Sequence, residues 1–331
     1  MKKPESRSAA AAAAAASGDA GALVRRLACA TAGTTFVLVL AGALVTSKDA
    51  GLAVPDWPTT YGYNMFTFPP SRMEGGILYE HSHRLLGAAV GLLTFGLAIA
   101  VFRRERRKSI RALSAAAAAG VVVQGVLGGL RVIRLDIDLA VLHGAVAQAF
   151  FALVATIAVL TRPALRRCAA PGGRAPDPAR LRSLAVASAA LVYAQIVAGA
   201  LLRHRGARLD VHLGLALVVS AAVGSLALRA ALARPLDAPS LRPLRAFALA
   251  AGALLVLQLF LGLGAYATTF APAGTEAGGA LEVGLTVAHV AVGALLFATC
   301  VSAAVLAFRL LDRPARRARR TEALRAAEGA A

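Results

Sequence analysis

Eight stretches of roughly 18 to 24 mostly apolar residues, the length an α-helix needs to cross a hydrocarbon core, decide what this 331-residue chain can fold into. They cover 27–47, 83–102, 112–130, 139–160, 183–202, 211–228, 246–268 and 285–308. Backbone amides cannot stay unpaired in lipid, so each stretch is predicted to be a helix. The fold class is an all-α integral membrane protein with eight transmembrane helices. Composition agrees: 58% hydrophobic and 16% charged residues, with a mean hydropathy of +0.67, leave too little polar surface to coat a soluble globule. In a soluble domain the net charge of +19 would raise nucleic acid as a partner. Here the charges sit between apolar runs, so the partner is the lipid bilayer and no nucleic acid is expected.

Basic residues set the orientation, because Lys and Arg concentrate in cytoplasmic segments. Of the 36, 28 fall in one alternating set that includes both termini, among them Arg25, Arg26, Arg103, Arg104, Arg107, Arg162, Arg182, Arg242, Arg245 and Arg309. Both termini are therefore expected in the cytoplasm, with the chain in the cell inner membrane. The organisation that follows is a disordered tail over 1–24, a four-helix group over 25–161, a Pro- and Gly-rich linker over 162–182, a second four-helix group over 183–310 and a basic tail over 311–331. Cys29, Cys168 and Cys300 lie in or beside apolar segments, without a CxxC pair, so neither a zinc site nor a disulfide framework is implied.

A repeat carries the chemistry. The odd-numbered spans share an ending: Gln124 and Gly128, Gln195 and Gly199, Gln258 and Gly262, with Leu38 and Gly42 in the first. Each even span then opens with a histidine, His83, His143, His212 or His289, followed four residues later by Gly87, Ala147, Ala216 or Gly293. Residues i and i+4 stack on one helical face, so the small side chain leaves a flat space beside each imidazole, wide enough for a planar macrocycle. The topology puts all four histidines in the first turn of their helices on the outer side, where two from each half can converge on a heme iron inside a bundle. His81 and His204 fall outside this register and read as solvated loop or interface residues.

The two halves differ. The first has a long outer loop, 48–82, rich in aromatic and turn residues and suited to an ordered lid, in which Trp57, Tyr61 and Tyr63 can also anchor at the interface. It ends in Glu80-His-Ser-His83-Arg84, where Glu80 and Arg84 are spaced to pair if the helix reaches that far. Around His212 and His289 the nearest charged candidates are Asp210 and Arg203. At the outer rim Arg84, Arg131, Arg134 and Arg203 could hold heme propionates. The half with a carboxylate beside its ligand is positioned for chemistry, and the other for carrying electrons.

The stretch Gly51-Leu-Ala-Val-Pro-Asp-Trp-Pro-Thr-Thr-Tyr-Gly62, then Phe68-Pro-Pro70, Gly75-Gly76, Glu80-His-Ser-His-Arg84 and His143-Gly-Ala-Val-Ala-Gln148, resembles the heme A synthase family. The likeness covers about 28–308 and is densest over 51–88. It implies two pseudo-symmetric four-helix bundles, a heme b cofactor on His212 and His289, a heme O substrate at His83 and His143, and a requirement for Glu80. The reaction implied is oxidation of a porphyrin methyl to a formyl group by successive hydroxylations, for cytochrome oxidase biogenesis. Heme O synthase, oxidase assembly factors and an unidentified electron donor are the implied partners. Some members carry a cysteine pair in their outer loops; this chain has no outer-loop cysteine, so no thiol step is expected. Glu80 is read as a base toward water, or as stabilising positive charge at the methyl carbon. The competing class is a non-catalytic diheme b-type cytochrome, which needs the same histidines but not Glu80 or the loop.

Overall fold

The computed structural model describes residues 5–167, 177–206, 208–232, 240–269 and 279–311, and side chains from Gly21 onward. Nine α-helices run through them: α1 (Glu5–Ser47), α2 (Gly75–Arg104), α3 (Lys108–Arg134), α4 (Ile137–Leu160), the short α5 (Pro163–Arg167), α6 (Pro178–Arg205), α7 (Leu209–Leu232), α8 (Arg242–Thr269) and α9 (Ala280–Leu310). Eight are long and apolar enough to cross a membrane, and the protein is a multi-pass all-α membrane protein. Among the described residues there is no strand, and an isolated β-bridge joins Thr60 and Tyr63.

The helices overrun the apolar runs that announce them. The 30 residues of α2 span about 45 Å at 1.5 Å per residue, against a hydrocarbon core of about 30 Å. The outer loop is accordingly shorter than 48–82: helix resumes at Gly75 and takes in Glu80, His81 and Ser82. The expected tail over 1–24 is corrected too, since α1 is helical from Glu5. The alanine run over 9–16 has the highest intrinsic helix propensity and carries the first span backward. The linker narrows for a similar reason: α5 occupies 163–167, and Pro178 opens α6 with Asp177 as its N-cap, accepting from the Arg180 amide at 3.0 Å. Cys168 and the tail beyond 311 lie outside the described residues.

Within 21–160, α1 packs on α2, α2 on α3, α3 on α4, and α4 back on α1, closing a ring. Helices α6, α7, α8 and α9 close a second ring in the same order. The rings meet through α1 and α4 on one side and α6 and α9 on the other. The central helices pay for their position in sequence: α4 and α9 are apolar on every side, burying Phe150, Phe151, Leu296 and Phe297 among many others. Arginines at the basic end do more than orient the chain. Arg107 donates to the Leu160 carbonyl, Arg245 to that of Ala230, and Arg182 to those of Ala307 and Leu311. These bonds bring donors to carbonyls at the C-terminal ends of α4, α7 and α9, where intrahelical partners run out.

Candidate functional site

In the first ring α2 and α4 stand opposite each other, as do α7 and α9 in the second, so the even-span histidines face inward across a bundle. His83 and His143 have ring centroids 6.5 Å apart at an interplanar angle of 76°; His212 and His289 are also 6.5 Å apart, at 64°. The space for each ring is made by glycine on the preceding helix. The position a Cβ would take at Gly42 is 3.1 Å from His83 Cε1, at Gly128 3.2 Å from His143 Cε1, at Gly199 3.1 Å from His212 Cε1 and at Gly262 2.8 Å from His289 Cε1. Any side chain there would meet the imidazole, which gives the shared glycine of the odd spans its physical reason.

The histidines lie deeper than the first turn. His83 follows the start of α2 by eight residues and His289 follows that of α9 by nine, because the helices begin in the polar segments outside the apolar runs. Only His212, three residues after Leu209, is where the sequence reading put it.

Each pair fits one metal ion between two imidazoles. A ring nitrogen lies about 1.2 Å from its centroid and first-row metal–imidazole bonds are about 2.0–2.1 Å, so a bis-imidazole ion would hold the centroids about 6.4 Å apart. Among the described residues no three His, Cys, Asp or Glu groups come together. Each site thus offers two protein ligands, leaving the other positions to a ligand that brings its own donors, as a porphyrin does. The Nδ1 atoms of His83, His143 and His289 are buried without a well-aligned hydrogen bond, and the backbone groups facing these rings are those of Leu38, Gln124 and Gln258, each four residues before the facing glycine.

Above the first pair the outer segment from Lys48 to Glu74 folds into a cap. Asp56 is its hub: Oδ1 accepts from the Tyr61 amide at 2.7 Å, while Oδ2 accepts from the Gly62 amide at 2.9 Å and from the Thr59 hydroxyl. Burial alone would raise this carboxyl, but the Gly62 amide, the Thr59 hydroxyl and the Tyr61 amide together hold it below its ordinary 3.8. The Tyr61 hydroxyl donates to the Ala53 carbonyl at 2.6 Å, and Phe68 stacks with Tyr61 and meets Tyr63 edge-on. The cap is fastened to α3 by Trp57, which lies so close over Gly129 that a Cβ there would collide with its ring, and by Arg131, whose Nη2 donates to the Gly51 carbonyl at 3.3 Å.

Glu80 and Arg84 fasten it to α2. They pair at 2.8 Å, and Glu80, 4% exposed, accepts from the Val54 amide through its other oxygen, also at 2.8 Å. Arg84 donates besides to the carbonyls of Val54, Asp56 and Thr59. Those bonds engage both terminal nitrogens, so Arg84 ties the helix to the cap. His81 is corrected as well. Far from solvated, it is 1% exposed beneath the cap, with Nδ1 3.1 Å from the Thr60 hydroxyl and its ring 5.0 Å from that of Phe68. Sequence placed His81 in the loop because the apolar run begins only at His83, two residues later.

The remaining rim residues make contacts of their own. Arg203 is exposed and donates to the Thr46 carbonyl at 3.3 Å, joining α6 to the end of α1. Arg205 pairs with Asp138 across the same junction. Asp210 is exposed and pairs with Arg208, which removes it as a partner for His212. Reasoning from sequence noticed the glutamines of the odd spans without giving them a task. Gln195 Nε2 lies 3.2 Å from both ring nitrogens of His212, and Gln258 Nε2 3.1 Å from His289 Nε2.

The family model described as cytochrome oxidase assembly protein, COX15-CtaA, matches residues 25–211, a segment that includes Glu80, His83 and His143 and stops one residue short of His212. A curated protein from Shouchella clausii named heme A synthase is 28% identical over 191 residues, 56% of this chain and 61% of that protein. A protein from Haloarcula marismortui named protoheme IX farnesyltransferase is 36% identical over 104 residues, 31% of this chain and 21% of that protein. The chain thus spans less than two thirds of the length of either relative.

Proposed function

Because the chain belongs to the COX15-CtaA family of cytochrome oxidase assembly proteins, we propose that it is a heme A synthase, oxidising the methyl group of heme O to the formyl group of heme A by successive hydroxylations. The observation that carries the reading is the pair of inward-facing imidazole pairs, each spaced for one iron. His83 and His143 receive heme O beneath the cap, and His212 and His289 hold a heme b cofactor. That heme would supply one-electron chemistry when bound. The halves are then two pseudo-symmetric bundles, 25–161 and 183–310, with both termini on the cytoplasmic side of the inner membrane.

The residues of the first half have distinct tasks. Glu80 keeps a free lone pair on each oxygen beyond its bonds to Arg84 and Val54, so it can take a hydrogen bond or a proton from water near the substrate. Arg84 fixes that carboxylate and, through three carbonyls of the cap, its distance from the loop. Trp57 and the ring cluster around Phe68 keep bulk water from the site. Arg131 and Arg203 stand at the rim as partners for propionates, each needing to exchange one long carbonyl contact. Heme O synthase is the natural supplier of substrate, and a stretch like this one within a protein named for farnesylating protoheme supports that placement. Oxidase assembly factors and an electron donor complete the set of partners.

The test is expression in cells that make heme O but lack heme A synthase, with pigments extracted and separated. Heme A is the expected product. Heme O unchanged, with only heme b bound to the purified protein, would favour the electron-carrying diheme cytochrome.

A further inference from the structure

A groove of about 290 Å³ lies away from both imidazole pairs, on the seam of the two rings, with α1 and α4 of the first and α8 and α9 of the second as its walls. Its wall on α4 is one helical face, with Ala155, Ala158 and Arg162, and its wall on α9 is another, with Ala298, Thr299 and Ser302. The Arg309 guanidinium reaches the Leu165 carbonyl, which sets the end of α9 level with the turn after Arg162. At 1.5 Å per residue Ser302 lies about 10 Å and Thr299 about 15 Å before Arg309, and Phe151 lies about 16 Å before Arg162. The groove therefore runs inward from the basic rim in a fixed order: a cation at the mouth, two hydroxyls below it and a floor of Phe151 and Leu295.

The polar groups of the groove are uncommitted. Inside these helices a hydroxyl ordinarily donates to the carbonyl four residues back, as Thr31, Thr35, Thr94, Thr156 and Ser220 do. Thr299 and Ser302 make no such bond, and among the described residues nothing else receives their hydroxyls. Ser302 is only 2% exposed, so the groove is where its hydroxyl can find an acceptor. The arginines divide likewise. Arg107, Arg182 and Arg245 donate to carbonyls at helix ends, whereas the Arg162 side chain, which is exposed, makes no hydrogen bond or ion pair among the described residues.

We propose that this groove holds one anionic phospholipid from the leaflet at the basic end, with its phosphate on Arg162, an ester carbonyl on Ser302 or Thr299 and an acyl chain against Phe151 and Leu295. Cation, neutral donors and apolar floor follow the order of a phospholipid from head to tail. The headgroup layer is about 5–8 Å thick on each side of the hydrocarbon, and the long stem of an arginine lets its guanidinium reach across such a layer. A quinone could use the hydroxyls for its carbonyls but would leave the cation without a counter-charge. The small side chains of Ala155, Ala158 and Ala298 give the chain its space. Its occupant would touch α1 and α4 on one side and α9 on the other, bridging the rings where they meet.

The test uses the full-length protein purified in a neutral detergent and titrated with phosphatidylglycerol or phosphatidylcholine. Two quantities are read: lipid retained in native mass spectrometry, and the rate at which N-ethylmaleimide alkylates Cys29, an exposed thiol in the wall of the groove. One phosphatidylglycerol molecule should stay bound and slow the alkylation, and phosphatidylcholine should do so more weakly. Arg162→Gln should weaken phosphatidylglycerol binding about fivefold, the effect of one basic residue beside anionic lipid, and leave phosphatidylcholine binding unchanged. Ala155→Phe, which fills the groove, should abolish retention and protection together, with helicity by circular dichroism as the check on folding. Arg162→Gln carries the test if Ala155→Phe does not accumulate. Alkylation unaffected by either lipid, equal retention of the two, or wild-type affinity in Arg162→Gln overturns the proposal, as does a quinone recovered from the groove in place of lipid.

Discussion

The two rings of helices present the same pair of imidazoles at the same 6.5 Å, yet what surrounds them differs. Three residues before the ligand stands Glu80 in the first ring, against Thr286 before His289 and Leu209 before His212 in the second; one residue after it comes Arg84, against Val290 and Leu213. The first ring thus spends a buried ion pair on its ligand helix, and that pair holds a folded cap. The second puts its polar contacts on the imidazoles themselves, through Gln195 and Gln258. A site tied to a folded cover suits a substrate that enters, reacts and leaves. A site whose polar contacts lie inside the bundle suits a resident group.

The largest effect that would break this comparison is removal of Arg84. Arg84→Ala leaves the buried Glu80 side chain without its cation and three cap carbonyls without their donor. Truncating one partner of a buried pair costs about 3–5 kcal/mol. The cap should therefore become accessible to protease between Lys48 and Glu74 while heme b bound by the second ring is retained. Equal loss of heme b would mean that the rings are not independent. Glu80→Gln is milder for structure, since the amide oxygen can still accept from Arg84 or Val54, and more selective for chemistry. Conversion of heme O should fall about a hundredfold or more, with heme content near wild type, if the carboxylate works as a base. Full conversion by Glu80→Gln would remove it from the mechanism.

Glycine gives a graded comparison between the rings. A Cβ at Gly262 would stand 2.8 Å from His289 Cε1, closer than real contacts allow, whereas at Gly128 the distance to His143 Cε1 is 3.2 Å and a small shift accommodates it. Overpacking of this kind costs about 1–3 kcal/mol. Gly262→Ala should lower heme b occupancy about tenfold, and Gly128→Ala should change heme O retention by less, both read from extracted pigments. A larger effect at Gly128 would show that the first ring is the more rigid of the two.

Much of this was legible in the sequence, and the reasons for the rest are physical. Apolar length located all eight spans, because lipid enforces helix wherever backbone is apolar for that long. It could not locate their ends: polar helical turns such as 75–82 carry no apolar signal, and that is where Glu80, His81 and their ties to the cap lie. The register of His83, His143, His212 and His289 was legible because a repeat multiplies a weak signal by four. The neighbour of each ring was not legible. Sequence marked the small residue four positions after the histidine and the shared glycine of the odd spans, but only the fold brings Gly42, Gly128, Gly199 and Gly262 against the imidazoles. The contact of Trp57 with Gly129 and that of Arg131 with Gly51 join residues more than 70 positions apart, and no local pattern announces them.

The smallest expected effect concerns acid and the cap alone. Asp56 is held below 3.8 when folded, so the stability it contributes is present above that value and is lost as pH falls through its lower folded value. Between pH 7 and about 4.5 the cap should show no change of order from this group, and below about 3.8 its protection from proteolysis or hydrogen exchange should decline, while the second ring, with no such carboxylate hub among its described residues, keeps its helicity. In Asp56→Asn the side-chain oxygen still accepts from the Tyr61 or Gly62 amide but no longer titrates. That variant should be somewhat less protected than wild type at pH 7 and should lack the acid step. A step of the same size in Asp56→Asn would assign the acid sensitivity of the cap to another group.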